Sequence, residues 1–369
     1  MNAVTDAAAG NAPAPDATSA QTAAAKARRS ASSVRLPLLG TVVAKRQLVV
    51  LGSLAVALLV LSLVALGTGD YPLSVGQVVT AMFATDGGFA TTIVLEWRLP
   101  RVLVALVFGA ALALSGAVFQ SLTRNPLGSP DIIGFATGSY TGALLVITLV
   151  GDSYLSTAGG AVVGGLASAL VVYLLAYRRG IQGFRLIIVG IAVTAILHAF
   201  NTWLLLRAQV EVAMAASIWG AGSISLVGWE QALPAFAVLG VLAVLVLVLS
   251  GGLRQLELGD DAAKAHGMRV EPARLALLVV GVALIAVVTA SSGPIAFVAL
   301  AAPQIASRLT RSAGVPLVAS ALTGALLLLA ADFVAQHVLP AAVPVGMVTV
   351  VIGGLYLIGL LISQARKQT

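Results

Sequence analysis

Catalytic chemistry needs polar side chains at recurrent spacings, and this chain offers few. It has no cysteine, so a thiolate nucleophile, a disulfide framework and a thiolate metal site are excluded. No G-x-x-x-x-G-K-[ST] occurs, so the chain has no P-loop of its own. His198, His266 and His337 stand far apart and no H-E-x-x-H frames them, so metalloprotease ligands are missing. The G-x-S-x-G elbow of a serine hydrolase is absent too. Two ionisable residues, His198 and Asp332, fall in or at the end of apolar runs. Groups of that kind deep in a membrane mark proton relays. Asp332 lies at the edge of its run, where snorkelling or a local cap suffices, and His198 reads as a helix-to-helix hydrogen bonder. Proton coupling is thinly supported. The chain is expected to be non-catalytic and to bind no cofactor or metal.

The elements around these residues define the class. The chain has 369 residues, 59% hydrophobic and 9% charged. A soluble chain carries about 25% charged residues, so no water-facing surface can be built here. A helix crossing the hydrocarbon core needs about 20 apolar residues. Such runs occupy Leu48–Leu66, Val102–Leu122, Ile132–Val150, Ala158–Tyr177, Leu186–Leu206, Ala232–Gly251 and Val345–Ser363, with a shorter one at Val315–Ala331. Leu275–Ser307 runs 33 residues without an acidic or basic side chain, too long for one helix. Ser291-Ser292-Gly293-Pro294 should break it in two, because proline lacks an N–H and Gly-Ser pairs favour turns. The expected fold is an all-α polytopic membrane protein of about ten transmembrane helices over residues 46–369.

The distribution of charge supports this map. With the N-terminus in the cytoplasm, Lys26, Arg28, Arg29, Arg35, Lys45, Arg46, Arg124, Arg178, Arg179, Arg185, Arg254, Lys264, Arg269, Arg274, Arg308, Arg311, Arg366 and Lys367 fall inside. Arg98, Arg101 and Arg207 fall outside, so the 21 Lys and Arg divide 18 to 3, as the positive-inside rule requires. The outer loops carry Asp70, Asp86, Glu96, Asp152, Glu211 and Glu230. The net charge of +7 is therefore topology and not a nucleic-acid footprint. Both termini are expected in the cytoplasm of a cell whose inner membrane holds the chain. Residues 1–45, rich in Ala, Pro, Ser, Thr and Asp without periodicity, are expected to be a disordered cytoplasmic tail. A cleaved signal peptide fits less well, since the tail is too long and Leu48–Leu66 exceeds a usual h-region.

Gly134, Gly138 and Gly142 recur every four residues on the third span, and Gly160, Gly164 and Gly165 begin the fourth, which predicts close helix packing. The hydrophilic stretch Arg254–Glu271 is the longest connection expected on the inner side. Leu256, Leu258, Ala262, Ala263 and Ala265 make it partly apolar, and Gly259 and Gly267 bracket a helix of about two turns. It reads either as a solvated loop or as a docking element for a cytoplasmic partner.

Seven motifs occur in order along the chain: R-L-P-R at Arg98–Arg101, S-G-A-V-F-Q at Ser115–Gln120, N-P-L-G-S-P at Asn125–Pro130, I-W-G-A-G-S at Ile218–Ser223, L-G-D-D-A-A-K-A-H-G at Leu258–Gly267, G-P-I-A-F-V-A-L-A-A-P-Q at Gly293–Gln304 and P-V-G-M-V-T at Pro344–Thr349. On these motifs the chain resembles the iron-siderophore and vitamin B12 permeases of binding-protein-dependent ABC importers, from about Leu48 to Lys367. The resemblance implies a type II ABC importer permease fold. It also implies two permeases paired around a central path, two cytoplasmic ATPase subunits that bind ATP and magnesium, and an extracytoplasmic substrate-binding protein. Many relatives have G-F-V-G-L-V-x-P-H where this chain has Ala296, Ala299 and Gln304. That variant is similar to the second permease of catecholate-siderophore systems, which implies a heterodimer and a ferric-siderophore cargo. Vitamin B12 or haem import, and an ion-coupled secondary transporter, are the alternatives.

By the same resemblance, Arg98 and Arg101 would dock the binding protein, although Gln336 stands where vitamin B12 permeases have a further arginine. Asn125, Leu127, Gly183 and Phe184 would lie near the inner gate. Leu258, Gly259, Asp260, Asp261, Ala262, Ala263, Lys264, Ala265, Gly267 and Met268 would contact the ATPase, with Asp260, Asp261 and Lys264 as rim charges around an apolar face containing Ala262 and Ala263.

Overall fold

The computed structural model describes residues 33–36, 41–84, 88–131, 133–151, 153–177 and 183–368. Asp86, Asp152, Arg178 and Arg179 of the charge map, and residues 1–32, lie outside the described residues. The chain divides into a unit of residues 1–50 and a unit of residues 51–369. In the first, β1 (Ser33–Leu36) pairs antiparallel with β2 (Thr41–Ala44), Ser33 opposite Ala44. Val34, Thr41, Val42 and Val43 in these strands are β-branched residues that favour an extended backbone.

Helices account for nearly all of the rest. They are α1 (Lys45–Gly67), α2 (Val75–Phe83), α3 (Leu99–Thr123), α4 (Phe135–Leu149), α5 (Tyr154–Ala176), α6 (Gly183–Arg207) and α7 (Val210–Gly220). There follow α8 (Trp229–Glu257), α9 (Asp260–Ala265), α10 (Val270–Ser292), α11 (Val298–Thr310), α12 (Leu317–Phe333) and α13 (Val345–Gln368). A helical turn at Phe89–Thr92 and a π-helical stretch at Ile93–Arg98 lead into α3, and a second π-helical stretch, Val334–Val338, extends α12.

Each of the ten apolar runs is met by a helix, but the helices differ in kind. Among the described residues seven are long and apolar enough to cross a membrane, while Phe135–Leu149 and Val345–Gly359 are shorter apolar segments. The eighth run is the 13-residue α11, whose Pro303 sits within the helix, so it falls short of a full span. The break between α10 and α11 comes at Gly293–Phe297, where the Ser-Gly-Pro sequence places it. Helices α2 and α7 have no counterpart in the sequence map. Ser74 and Gln77 close a capping box on α2, with Ser74 N–H donating to Gln77 Oε1 at 2.8 Å. Eleven residues make α7 too short to register as a span.

The bundle is organised around α3. It packs against α8, α10, α11 and α12, and 78% of its apolar window is buried, against 17% for α6. A helix apolar all round and enclosed is a core helix, and one apolar all round and exposed faces lipid or another subunit. Small residues set the spacing. Gly109 of α3 meets Gly324 of α12 backbone to backbone, and Gly138 and Gly142 of α4 meet Gly164 and Gly160 of α5. Gly134 departs from that expectation. It is the left-handed N-cap of α4 (φ 92°) and lies against Thr194 of α6.

Candidate functional site

Four of the seven motifs identified in sequence line one cavity. Gln120 Nε2 donates to the Leu300 carbonyl at 2.9 Å, and Gln304 Nε2 donates to Gln120 Oε1 at 2.7 Å, so S-G-A-V-F-Q and the A-A-P-Q end of α11 form one buried contact. Gly116 lies flat on the Ala299 backbone, where a Cβ would clash. Ser223 N–H donates to Ser292 O at 2.7 Å and Gly346 N–H to Gly222 O at 3.0 Å, joining I-W-G-A-G-S, the Gly293–Phe297 break and P-V-G-M-V-T. Gly222 (φ 71°) and Gly293 (φ 72°) permit this, because both take left-handed backbone and each lies against the other strand of the junction.

The cavity so framed has a volume of about 650 Å³. Its walls are mainly apolar, including Ala136, Ala296, Leu300, Met347 and Val350. Polar groups interrupt them at Ser129, Asp131, Tyr140, Thr194, His198 and Ser217. Tyr140 stacks on Trp219 with ring centroids 6.0 Å apart. His198, exposed on α6, lines this cavity, and its ring makes no hydrogen bond to another described residue. Sequence reading passed over Asp131, because it sits in the connection between α3 and α4 and not within an apolar run. Its Oδ2 accepts from the Phe297 N–H at 3.2 Å and lies 3.4 Å from Ser129 Oγ, while Oδ1 is withdrawn from the surface without a partner among the described residues. Burial pushes this carboxyl up to about 6, and the hydrogen bonds from Phe297 and Ser129 only partly oppose that.

At the start of α3 both arginines are engaged within the chain. Arg98 donates to the carbonyls of Leu66 at 2.8 Å and Tyr71 at 2.7 Å. Arg101 makes a bidentate pair with Asp332, both N–O distances 2.8 Å, and reaches Ser225 Oγ at 3.1 Å. Asp332, one residue before the end of α12, is thus a buried ion-pair partner, its side chain 8% exposed, where snorkelling or a local cap was expected. Gln336 donates to Ser225 Oγ at 3.3 Å and Val343 O at 3.2 Å, so it belongs to the same cluster.

At the other end of α3, Arg124 caps the helix in left-handed conformation and donates to Asp260 Oδ1 at 2.7 Å. Arg274, buried in α10, donates to the same oxygen at 2.6 Å and to Glu271 at 3.3 Å. Burial works to raise the Asp260 carboxyl, but the hydrogen bond and charge of Arg274, with the charges of Arg124 and Lys264, outweigh it and hold it below the usual carboxylate range. The six-residue helix α9 forms between Gly259 and Gly267 as expected, but its faces are reassigned. Ala263 is buried and Ala262 half-buried, so they mount the helix on the bundle and do not form an exposed docking face. Asp260 is an anchor and not a rim charge. The outward residues are Leu258, 71% exposed, with Asp261, Lys264, Ala265 and Gly267, while Met268 is half-buried.

Nearby, Asn125 Oδ1 accepts from the Leu127 N–H at 2.9 Å, which shapes the turn after α3. Gly183 packs on the Thr123 backbone, where a Cβ would lie 2.6 Å from the carbonyl oxygen. The structure thus brings the two halves of the expected gate together, and leaves the Leu127 and Phe184 side chains exposed.

A multi-helix membrane bundle with an apolar cavity edged by hydroxyls, an imidazole and a carboxyl defines a permease in class. Comparison with known proteins gives the family: residues 57–363 match the FecCD transport family, and the chain belongs to it. The ferric enterobactin transport system permease protein FepG of Escherichia coli (strain K12) is 47% identical over 88% of this chain and 99% of its own length. The Fe(3+)-citrate import system permease protein YfmE of Bacillus subtilis (strain 168) is 36% identical over 88% of this chain and 98% of its own. The iron(3+)-hydroxamate import system permease protein FhuB of E. coli is 33% identical, with 92% of this chain matching 51% of that one. A solved structure of a metal-chelate type ABC transporter in an inward-facing conformation superposes with a TM-score of 0.76, at 30% identity, over 85% of this chain and 98% of that one.

Proposed function

We propose that this chain is the permease subunit of an ABC importer that moves ferric siderophores of the catecholate class across the cytoplasmic membrane. The observation that carries the reading is the cavity, built where four of the recurrent motifs meet and enclosed by helices of a siderophore-permease family. The near-full-length similarity to a ferric enterobactin permease supports the catecholate class. The chain itself does no chemistry in this reading. ATP and magnesium are held by two separate ATPase subunits that dock on the α9 end, and a binding protein delivers cargo at the Arg98–Arg101 end. Both termini then lie in the cytoplasm, consistent with the 18-to-3 division of cations.

A second permease chain completes the path. One relative matches this chain over half its length, leaving room for two such units in a single polypeptide. The exposed apolar surface of α6 and α13, including Ile188, Ile191, Ile196, Val351 and Leu355, is available to such a partner or to lipid. A non-identical partner agrees with the A-A-P-Q variant at Gln304. Docking through the arginines has to proceed with Arg101 already committed to Asp332, and with Arg98 donating to two carbonyls under the charge of Asp70.

The test is purification from membranes in mild detergent, identification of the accompanying chains by mass, and ATP-driven uptake of a ferric tris-catecholate complex by the reconstituted assembly. An ATPase, a homologous permease and uptake are the expected results. A chain that purifies alone and transports without ATP would refute the proposal.

A further inference from the structure

Among the described residues, one carboxyl lines the cavity and nothing of opposite fixed charge does. Among the described residues lining it there is no lysine or arginine, and the titratable groups are Asp131 before α4, Tyr140 on α4 and His198 on α6. The other lining elements, α7, α11 and α13, contribute none. The two oxygens of Asp131 have separate fates. Oδ2 holds the Phe297 N–H, at a residue whose left-handed conformation (φ 68°) turns the chain into α11. Oδ1 has no partner among the described residues. One oxygen thus has an architectural role, and the other leaves a charge unspent beside the cavity.

Apolar walls weaken dielectric screening, so a carboxylate there repels an anion more strongly than it would in water. Like-charge juxtaposition is also a means of discriminating between partners. A path must hold its cargo weakly enough to release it, and repulsion opposes the affinity that apolar walls give.

We propose that Asp131 makes this cavity selective for cargo charge, its free carboxylate oxygen disfavouring the more anionic of two complexes of equal shape. The inference rests on the catecholate reading above. It concerns a specificity-determining residue and not the identity of the path.

The test varies charge without varying shape. A tris-catecholate ligand loaded with gallium(III) carries three negative charges, and loaded with germanium(IV) it carries two. Uptake of both complexes is measured at pH 8, where the carboxylate is ionised, with the transporter reconstituted together with its co-purifying subunits and binding protein. Asp131→Asn keeps an oxygen for the Phe297 N–H and removes the charge. It should raise gallium-complex uptake over germanium-complex uptake by roughly threefold or more relative to wild type. Thr194→Asp leaves the Asp131–Phe297 bond untouched and adds a second carboxylate to the lining, and it should shift the ratio the opposite way. Equal effects on both complexes in both variants would mean that Asp131 only anchors the turn, and the inference falls while the importer reading stands. If wild type takes up neither complex, the catecholate reading falls and the inference with it.

Discussion

Helix α3 carries an arginine–aspartate pair near each end, and the two pairs differ in nearly every respect. Arg101 and Asp332 form a bidentate pair with the carboxylate buried, joining α3 to α12. About 35 Å away along the helix, Arg124 shares Asp260 with Arg274, and the carboxylate is about one-third exposed. The first pair has a single geometry, flanked by the π-helical stretches Ile93–Arg98 and Val334–Val338. Such stretches are frequent where a helix is held off its regular register at a functional site. The second pair is a mount. It holds a six-residue helix on two long ones through one carboxylate and one buried methyl, that of Ala263, and leaves Leu258 outward. One end of the bundle is clamped by a buried pair, and the other carries a short helix held by a partly exposed one.

The sharpest way to break this comparison is at the clamp. Asp332→Ala leaves Arg101 without its carboxylate and should cost about 3–5 kcal/mol, the usual penalty for breaking a buried pair. Unfolding in detergent measures it, and a loss below 1 kcal/mol would make the two ends equivalent. Charge reversal at Arg101 falls under the same penalty, so weakened binding-protein docking in such a variant reports folding before it reports contact.

Next come the two faces of α9. Leu258→Glu should weaken ATPase pull-down by about tenfold or more, as expected from losing roughly 1.5–3 kcal/mol of apolar burial, with an unchanged unfolding midpoint. Ala263→Glu places a charge in a buried site and should lower the midpoint itself. If both variants dock and unfold like wild type, α9 is a solvated loop and the coupling element lies elsewhere.

Gly183→Ala pushes a methyl into the Thr123 carbonyl and should destabilise by about 1–3 kcal/mol, with increased leak of cargo in vesicles lacking ATP as the gate-specific readout. A variant that unfolds and leaks like wild type would show that the contact can relax.

The smallest effect is expected at Asp260. Asp260→Asn should cost about 1 kcal/mol, in keeping with a partly exposed pair, because Glu271 still faces Arg274. Its carboxyl is held below the usual value of 3.8, so the ionised form is favoured by folding. That stability is present above the usual value and is lost as pH falls through the lowered one. Wild type should therefore lose stability below about pH 4 more steeply than Asp260→Asn. Parallel acid curves would remove Asp260 from the mount.

Much of the site was legible by type but not by partner. The R-L-P-R motif identified both arginines, yet sequence spacing could not bring Asp332, 231 residues away, onto Arg101. The α9 bracket was readable because Gly259 and Gly267 punctuate a short polar run, whereas which alanine faces inward depends on α3 and α10 behind it. Asp131 gave no signal: in sequence it is one polar residue after a proline in a loop. Its position opposite Phe297, 166 residues on, makes it a cavity group.

What the sequence determined alone is the solvent. With 9% charged residues and ten apolar runs, this chain satisfies its backbone as helices in a bilayer. What the tertiary structure decided is which of those helices is core. Since α3 and α6 are both long and mainly apolar, hydropathy alone does not say which of them is core. Close backbone approach at small residues such as Gly109 and Gly324 does, because only there can neighbouring helices come near enough for dispersion and hydrogen bonding to hold them together without help from water.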